Sequence, residues 1–166
     1  MPPHWLRMRT RYRTIQLSGT AIEAAVDLVK NRIYEQESIF WVNIEPDVDK
    51  DNIHTGSIFW KAFSSRGPMI PKFTWVSAST SRGNYQPAQV GLAHPVGNAV
   101  LNRLEDFKIE IPEQWILQQD HPKRGLVIEL PKDYDAKKIV EFALAAIPVV
   151  SPFEFDNQFI LKYPIR

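Results

Sequence analysis

The sequence predicts a two-layer α+β sandwich, ferredoxin-like or related, in which a mainly antiparallel sheet is covered by about three helices. Three observations carry this prediction. Several segments alternate apolar and polar residues with the period of two that a half-buried strand requires. Others repeat apolar residues at the spacing of one helical face. Both ends of the chain then follow a strand, helix, strand order, each pairing an apolar helix face with alternating strands.

The elements follow in order. Leu6 to Ile15 alternates strictly, which puts Arg7, Arg9, Arg11 and Arg13 on one face of an extended strand and the larger apolar groups on the other, with the strand reaching Leu17. Thr20-Ala21-Ile22-Glu23 has the form of a capping box and predicts a helix start at Thr20. Ile22, Val26, Val29 and Ile33 give that helix its apolar face. Ser38-Ile39-Phe40-Trp41 and Ser57-Ile58-Phe59-Trp60 read as neighbouring aromatic strands, and Lys72 to Val76 completes an antiparallel meander. Pro71 places the start of this last strand at a sheet edge.

The segment from Ser77 to Gly91 is rich in Ser, Gly, Asn, Gln and Pro without an apolar period, and predicts a long surface loop over about 77–93. Pro95 suits the first turn of a second helix that carries Val96, Val100, Leu104 and Phe107 on one face up to Lys108. The last third reads as strand 115–118, turn 120–125, strand 126–130, helix 136–147 and strand 159–163. Asp135 is the expected N-cap of that helix, and Pro148 its stop.

At 166 residues, 44% apolar and 23% charged, the chain has the length and composition of one folded domain, 1–166. Twenty basic residues against nineteen acidic ones give no overall pull toward nucleic acid, membrane or acidic substrates, so an electrostatic partner must be read by a local patch. The absence of cysteine excludes thiol catalysis, thiolate metal sites and disulfides, and fits a reducing compartment. No segment approaches the run of about 18 apolar residues that spans a bilayer. A cytoplasmic protein without a membrane partner is expected.

The sharpest charge feature is the ladder of Arg7, Arg9, Arg11 and Arg13, whose guanidinium groups can follow phosphates or an acidic protein surface. The same charges also protect an edge strand from unwanted pairing. Tyr12, Tyr85 or an exposed Trp can stack on bases if the ladder meets nucleic acid, with most of the five Trp expected in the core. Arg82, before Gly83, is a binding candidate that can stand with Arg66 and Arg124 at loop tips, although Gly after a polar residue is also ordinary turn chemistry and that is the preferred reading of these pairs.

The segment from Glu45 to Asn52 places carboxylates at alternate positions, the start of a calcium-loop pattern. Counting from Asp47, the glycine required at the sixth position is Asn52 and the bidentate Glu at the twelfth is Ile58, so the pattern fails halfway. Asp47, Asp49, Asp51 and His54 remain weak metal candidates, while a solvated acidic turn is the default reading and no metal is expected. His94 and His121 both precede a proline and read as turn or helix-start residues. Phosphate-loop, dinucleotide-binding, nucleophile-elbow and zinc-protease signatures are all absent, and no cofactor is expected.

Aromatic and arginine-bearing strands without a catalytic constellation favour a non-catalytic macromolecule-binding protein with a protein partner, for which an inhibitory or toxin-neutralising role suits the size. The alternatives are nucleic-acid binding through the N-terminal arginine strand, and a hydrolase with a site near the 45–54 acidic loop. An exposed aromatic strand serves equally as the edge of a homodimer.

Overall fold

Each strand carries one apolar row, and such rows are buried most completely when the strands share one face. The computed structural model describes residues 11–18, 22–32, 39–49, 70–96 and 100–165. Along them run β1 (Arg11–Ser18), α1 (Glu23–Lys30), β2 (Trp41–Pro46), β3 (Lys72–Val76), β4 (Ser79–Ser81), β5 (Asn84–Gln86) and β6 (Gln89–Ala93). There follow α2 (Val100–Asp106), β7 (Ile116–His121), β8 (Gly125–Glu129), α3 (Ala136–Val150) and β9 (Gln158–Ile165).

Seven strands form one sheet in the order β1-β9-β2-β3-β6-β8-β7, every neighbouring pair antiparallel, and β4-β5 is a separate hairpin. The α+β sandwich with a mainly antiparallel sheet and three described helices is therefore correct. Because β1 and β2 both pair antiparallel with β9, they run parallel to each other with the last strand inserted between them. This split strand-helix-strand unit is the feature shared with ferredoxin-like folds. The seven-strand order does not confirm that closer relation.

Register defines the core. Leu17 opposes Phe159, Ile44 opposes Leu161 and Phe73, Val42 opposes Trp75, and Leu92 opposes both Phe73 and Leu126. All are buried on the face that the helices cover. The longest helix, α3, turns Ile139, Val140, Phe142, Ala143, Ala146 and Ile147 inward at helical spacing. Phe142 wedges between Phe73 and Trp115, at ring separations of 6.2 and 5.5 Å. Each such aliphatic or aromatic burial contributes about 1.5–3 kcal/mol before entropy is counted.

Several expectations need correction. The 77–91 segment is the β4-β5 hairpin followed by β6, a fully paired inner strand. Its short strands and the single Gly91 hide the period of two. The hairpin turns through Arg82 and Gly83, both at positive φ (51° and 80°), the geometry of a tight two-residue turn. Pro71 does not mark an edge, since β3 lies between β2 and β6. The proline precedes the first strand residue and so removes no ladder hydrogen bond.

The first helix runs from Glu23 with Ile22 as its cap and no side-chain cap bond, while Thr20, where the capping box set the start, lies outside the described residues. Phe107 lies beyond α2 and is 60% exposed, outside the apolar face that Val100 and Leu104 bury. Pro148 does not stop α3, which runs to Val150. A proline in the last turn forfeits one backbone bond, and its own carbonyl still accepts from the Ser151 amide at 3.4 Å. The second aromatic segment, 57–60, lies outside the described residues.

Candidate binding end of the sheet

Strand β1 is an edge strand, and among the described residues nothing pairs with its outer side. The alternation reading set the arginines opposite the apolar residues. Instead, Arg11 and Arg13 share a face with Ile15 and Leu17, the face the helices cover, while Tyr12, Thr14 and Gln16 point to the helix-free side. Length explains the change within one face. Eight residues of strand extend about 27 Å, whereas the eight residues of α1 rise about 12 Å. The helix layer thus buries Leu17 and leaves Arg11 and Arg13 exposed. Neither arginine makes an ion pair among the described residues.

On the helix-free side of the same end, Tyr12 opposes Pro164 across β1 and β9, and the Tyr12 ring packs at 5.5 Å on Trp41 of β2. Pro164 falls where the pairing of β9 with β2 has ended, so its missing donor costs no hydrogen bond. Tyr12 is 57% exposed, which leaves an aromatic shelf on one face of the edge whose other face carries Arg11 and Arg13. Behind them, Arg32 lies 4.7 Å above the Phe40 ring, and Phe40 packs against Tyr163.

The β4-β5 hairpin leaves this same end, since it connects Val76 to Gln89, which oppose Trp41 and each other. Its base is tied by Ser77, whose amide donates to the Phe40 carbonyl at 2.8 Å and whose Oγ accepts from the Phe40 amide at 2.9 Å. Arg82 is exposed at its tip, and Tyr85 stacks under Lys132 at 5.2 Å while remaining 42% exposed. Of the residues the sequence singled out for binding, Arg11, Tyr12, Arg13, Arg82 and Tyr85 therefore lie at one end of the sheet. Arg7 and Arg9 fall outside the described residues. Sequence reasoning missed Trp41 and Lys132, because only strand order and the hairpin bring them to this end.

The acidic segment behaves differently. Asp47 accepts a hydrogen bond from Gln16 Nε2 at 3.0 Å and its amide donates to Gln158 at 2.8 Å, which fastens the end of β2 to β1 and β9. Asp49 is exposed, and Asp51 and His54 lie outside the described residues. Among the described residues no three His, Asp or Glu side chains gather as a metal site. At this far end of the sheet an open groove of about 620 Å³ runs between α1, α3 and the start of β9, lined by Ser18, Ile22, Glu141, Leu144, Asp156 and Phe159.

His121 closes the β7-β8 turn, its Nδ1 accepting from the amides of Lys123 and Arg124 at 3.1 and 3.2 Å. That matches its reading as a turn residue. His94 is different: it is 1% exposed and neither ring nitrogen has a hydrogen-bond partner. Burial lowers its pKa, and the Asp120 carboxylate opposes that shift only in part. Burial likewise pushes the Tyr134 hydroxyl well above its usual range. The neighbouring Trp75 indole offsets part of this without completing a hydrogen bond.

Among the described residues no helix is long and apolar enough to cross a membrane. No protein-family model matches the chain, and comparison with curated proteins and with solved structures finds no match.

Proposed function

We propose that this is a non-catalytic macromolecule-binding protein whose partner is a protein held at the Arg11 end of the sheet. The observation that carries this reading is the exposed edge of β1, where Arg11 and Arg13 make no ion pair among the described residues on one face and Tyr12 rests on Trp41 on the other. Arginine and large aromatic residues are the side chains most enriched at protein interfaces. An inhibitory or toxin-neutralising role suits such a surface. A cytoplasmic setting belongs to the same proposal, and the absence of cysteine fits a reducing compartment.

Nucleic-acid binding through the same arginines is the competing reading, supported by the exposed tyrosines beside them. Retention of binding partners from a lysate on immobilised protein, with and without nuclease and at two salt concentrations, separates the two. Expected is one protein retained after nuclease treatment, lost in the triple variant Arg11→Gln, Tyr12→Ala, Arg13→Gln, and kept in Lys123→Gln, in the exposed β7-β8 turn at the opposite end of the sheet. Retention of nucleic acid that disappears at high salt would replace the protein-binding reading. Equal retention by the triple variant would remove this end of the sheet from the function.

A further inference from the structure

The outer edge of β1 offers backbone donors and acceptors along eight residues, with no described strand on that side. An extended segment laid along it would continue the ladder that β1 already forms with β9. Side chains on such a segment meet those of β1 face to face: whatever opposes Arg11 and Arg13 lies on the helix side, and whatever opposes Tyr12 and Thr14 lies on the helix-free side. The two faces demand different chemistry. Two exposed guanidinium groups with no carboxylate partner among the described residues favour Asp or Glu at alternate positions, while Tyr12, backed by Trp41, favours an apolar residue between them.

We infer that the partner contributes an extended acidic, apolar, acidic segment that adds as an eighth strand to the edge of the seven-stranded sheet at β1. The inference rests on the protein-binding reading above and names its mode and chemistry. Charge also argues against a second copy of this chain as the occupant. Antiparallel self-pairing centred on residue 13 would set Arg13 against Arg13, and centred on residue 14 it sets Arg11 and Arg13 against Leu17 and Ile15, leaving all four guanidinium groups without carboxylates.

The test titrates the whole chain with a capped Glu-Val-Glu-Val-Glu peptide, its Lys-Val-Lys-Val-Lys counterpart and a copy of the acidic peptide N-methylated at alternate amides, following β1 amide exchange and backbone shifts. Expected is binding of the acidic peptide alone, with protection of alternate amides in β1. Arg11→Gln with Arg13→Gln should weaken it about tenfold, and N-methylation about a hundredfold. Equal binding of the basic peptide, or an N-methylated peptide that binds as well, would overturn strand addition by an acidic segment. So would concentration-dependent self-association abolished by the arginine variant, which would make a second copy the occupant. If the acidic peptide fails at millimolar concentration while a lysate protein is still lost in the triple variant, the mode is wrong and the protein-binding reading stands. If neither binds, both fall.

Discussion

At the scale of single residues, the described interior holds a histidine that the fold leaves without a hydrogen-bonding partner. His94 sits just past the end of β6 with both nitrogens buried and unbonded, so burial disfavours its charged ring in the native state. Its folded pKa lies below the ordinary 6.5. The unfolded chain therefore binds a proton more readily, and the stability tied to this residue is fully present above pH 6.5 and lost as the pH falls through the folded value. Chemical denaturation between pH 7.5 and 5 should show a falling midpoint, a slope that His94→Leu flattens; equal slopes in both proteins would exclude this residue as the cause. Gly125 shows a second residue-scale constraint. At a φ of 81°, a Cβ there would meet the Leu92 carbonyl oxygen at 2.4 Å, so glycine permits the approach of β8 to β6.

Among the elements, the short helix α2 ends in a way its sequence does not advertise. The Lys108 amide donates to the Glu105 carbonyl at 2.8 Å and the Ile109 amide to the Leu104 carbonyl at 2.9 Å, the two bonds of a Schellman motif. That motif needs a left-handed residue, and here it is Lys108, at a φ of 57°. Lys108→Gly should stabilise the protein by about 0.5–1 kcal/mol, read as a raised thermal midpoint with an unchanged far-ultraviolet spectrum. A lowered midpoint would mean that the lysine side chain contributes more than its backbone conformation costs. In contrast, α3 follows its sequence closely. Asp135 caps it by accepting from the Lys137 amide at 2.8 Å, as its position before the apolar period predicts.

Across the whole molecule, stability and exposure are distributed unevenly. Strands β3 and β6 are paired on both sides and packed against the helices, whereas β1 and β7 are edges and β4-β5 stands apart from the main sheet. Native-state amide exchange should accordingly be slowest at Phe73, Trp75, Val90 and Leu92 and fastest in the hairpin from Ser79 to Gln86. Comparable protection in the hairpin would show that its packing exceeds what its exposed residues indicate. The two edges also differ in chemistry. β1 begins with exposed arginines, while β7 begins with Ile116 and Leu117, 57% and 45% exposed, and is interrupted by an irregularity between Leu117 and Gln119 that breaks its regular ladder.

Local pattern determined much of this protein by itself. The α+β class, the apolar faces of α1 and α3, the Asp135 cap and the alternation of β3 all depend on residues within a few positions of one another, where period and capping chemistry are directly legible. The same reading found Arg11, Tyr12, Arg13, Arg82 and Tyr85 as candidates without showing that they share one end of the sheet. Their placement at one end of the sheet, the insertion of β9 between β1 and β2, the arrival of Trp41 beside Tyr12 and the isolation of His94 were decided by tertiary structure alone. Each depends on which strand pairs with which and on how far a short helix covers a longer strand, quantities set by contacts between residues far apart in the chain.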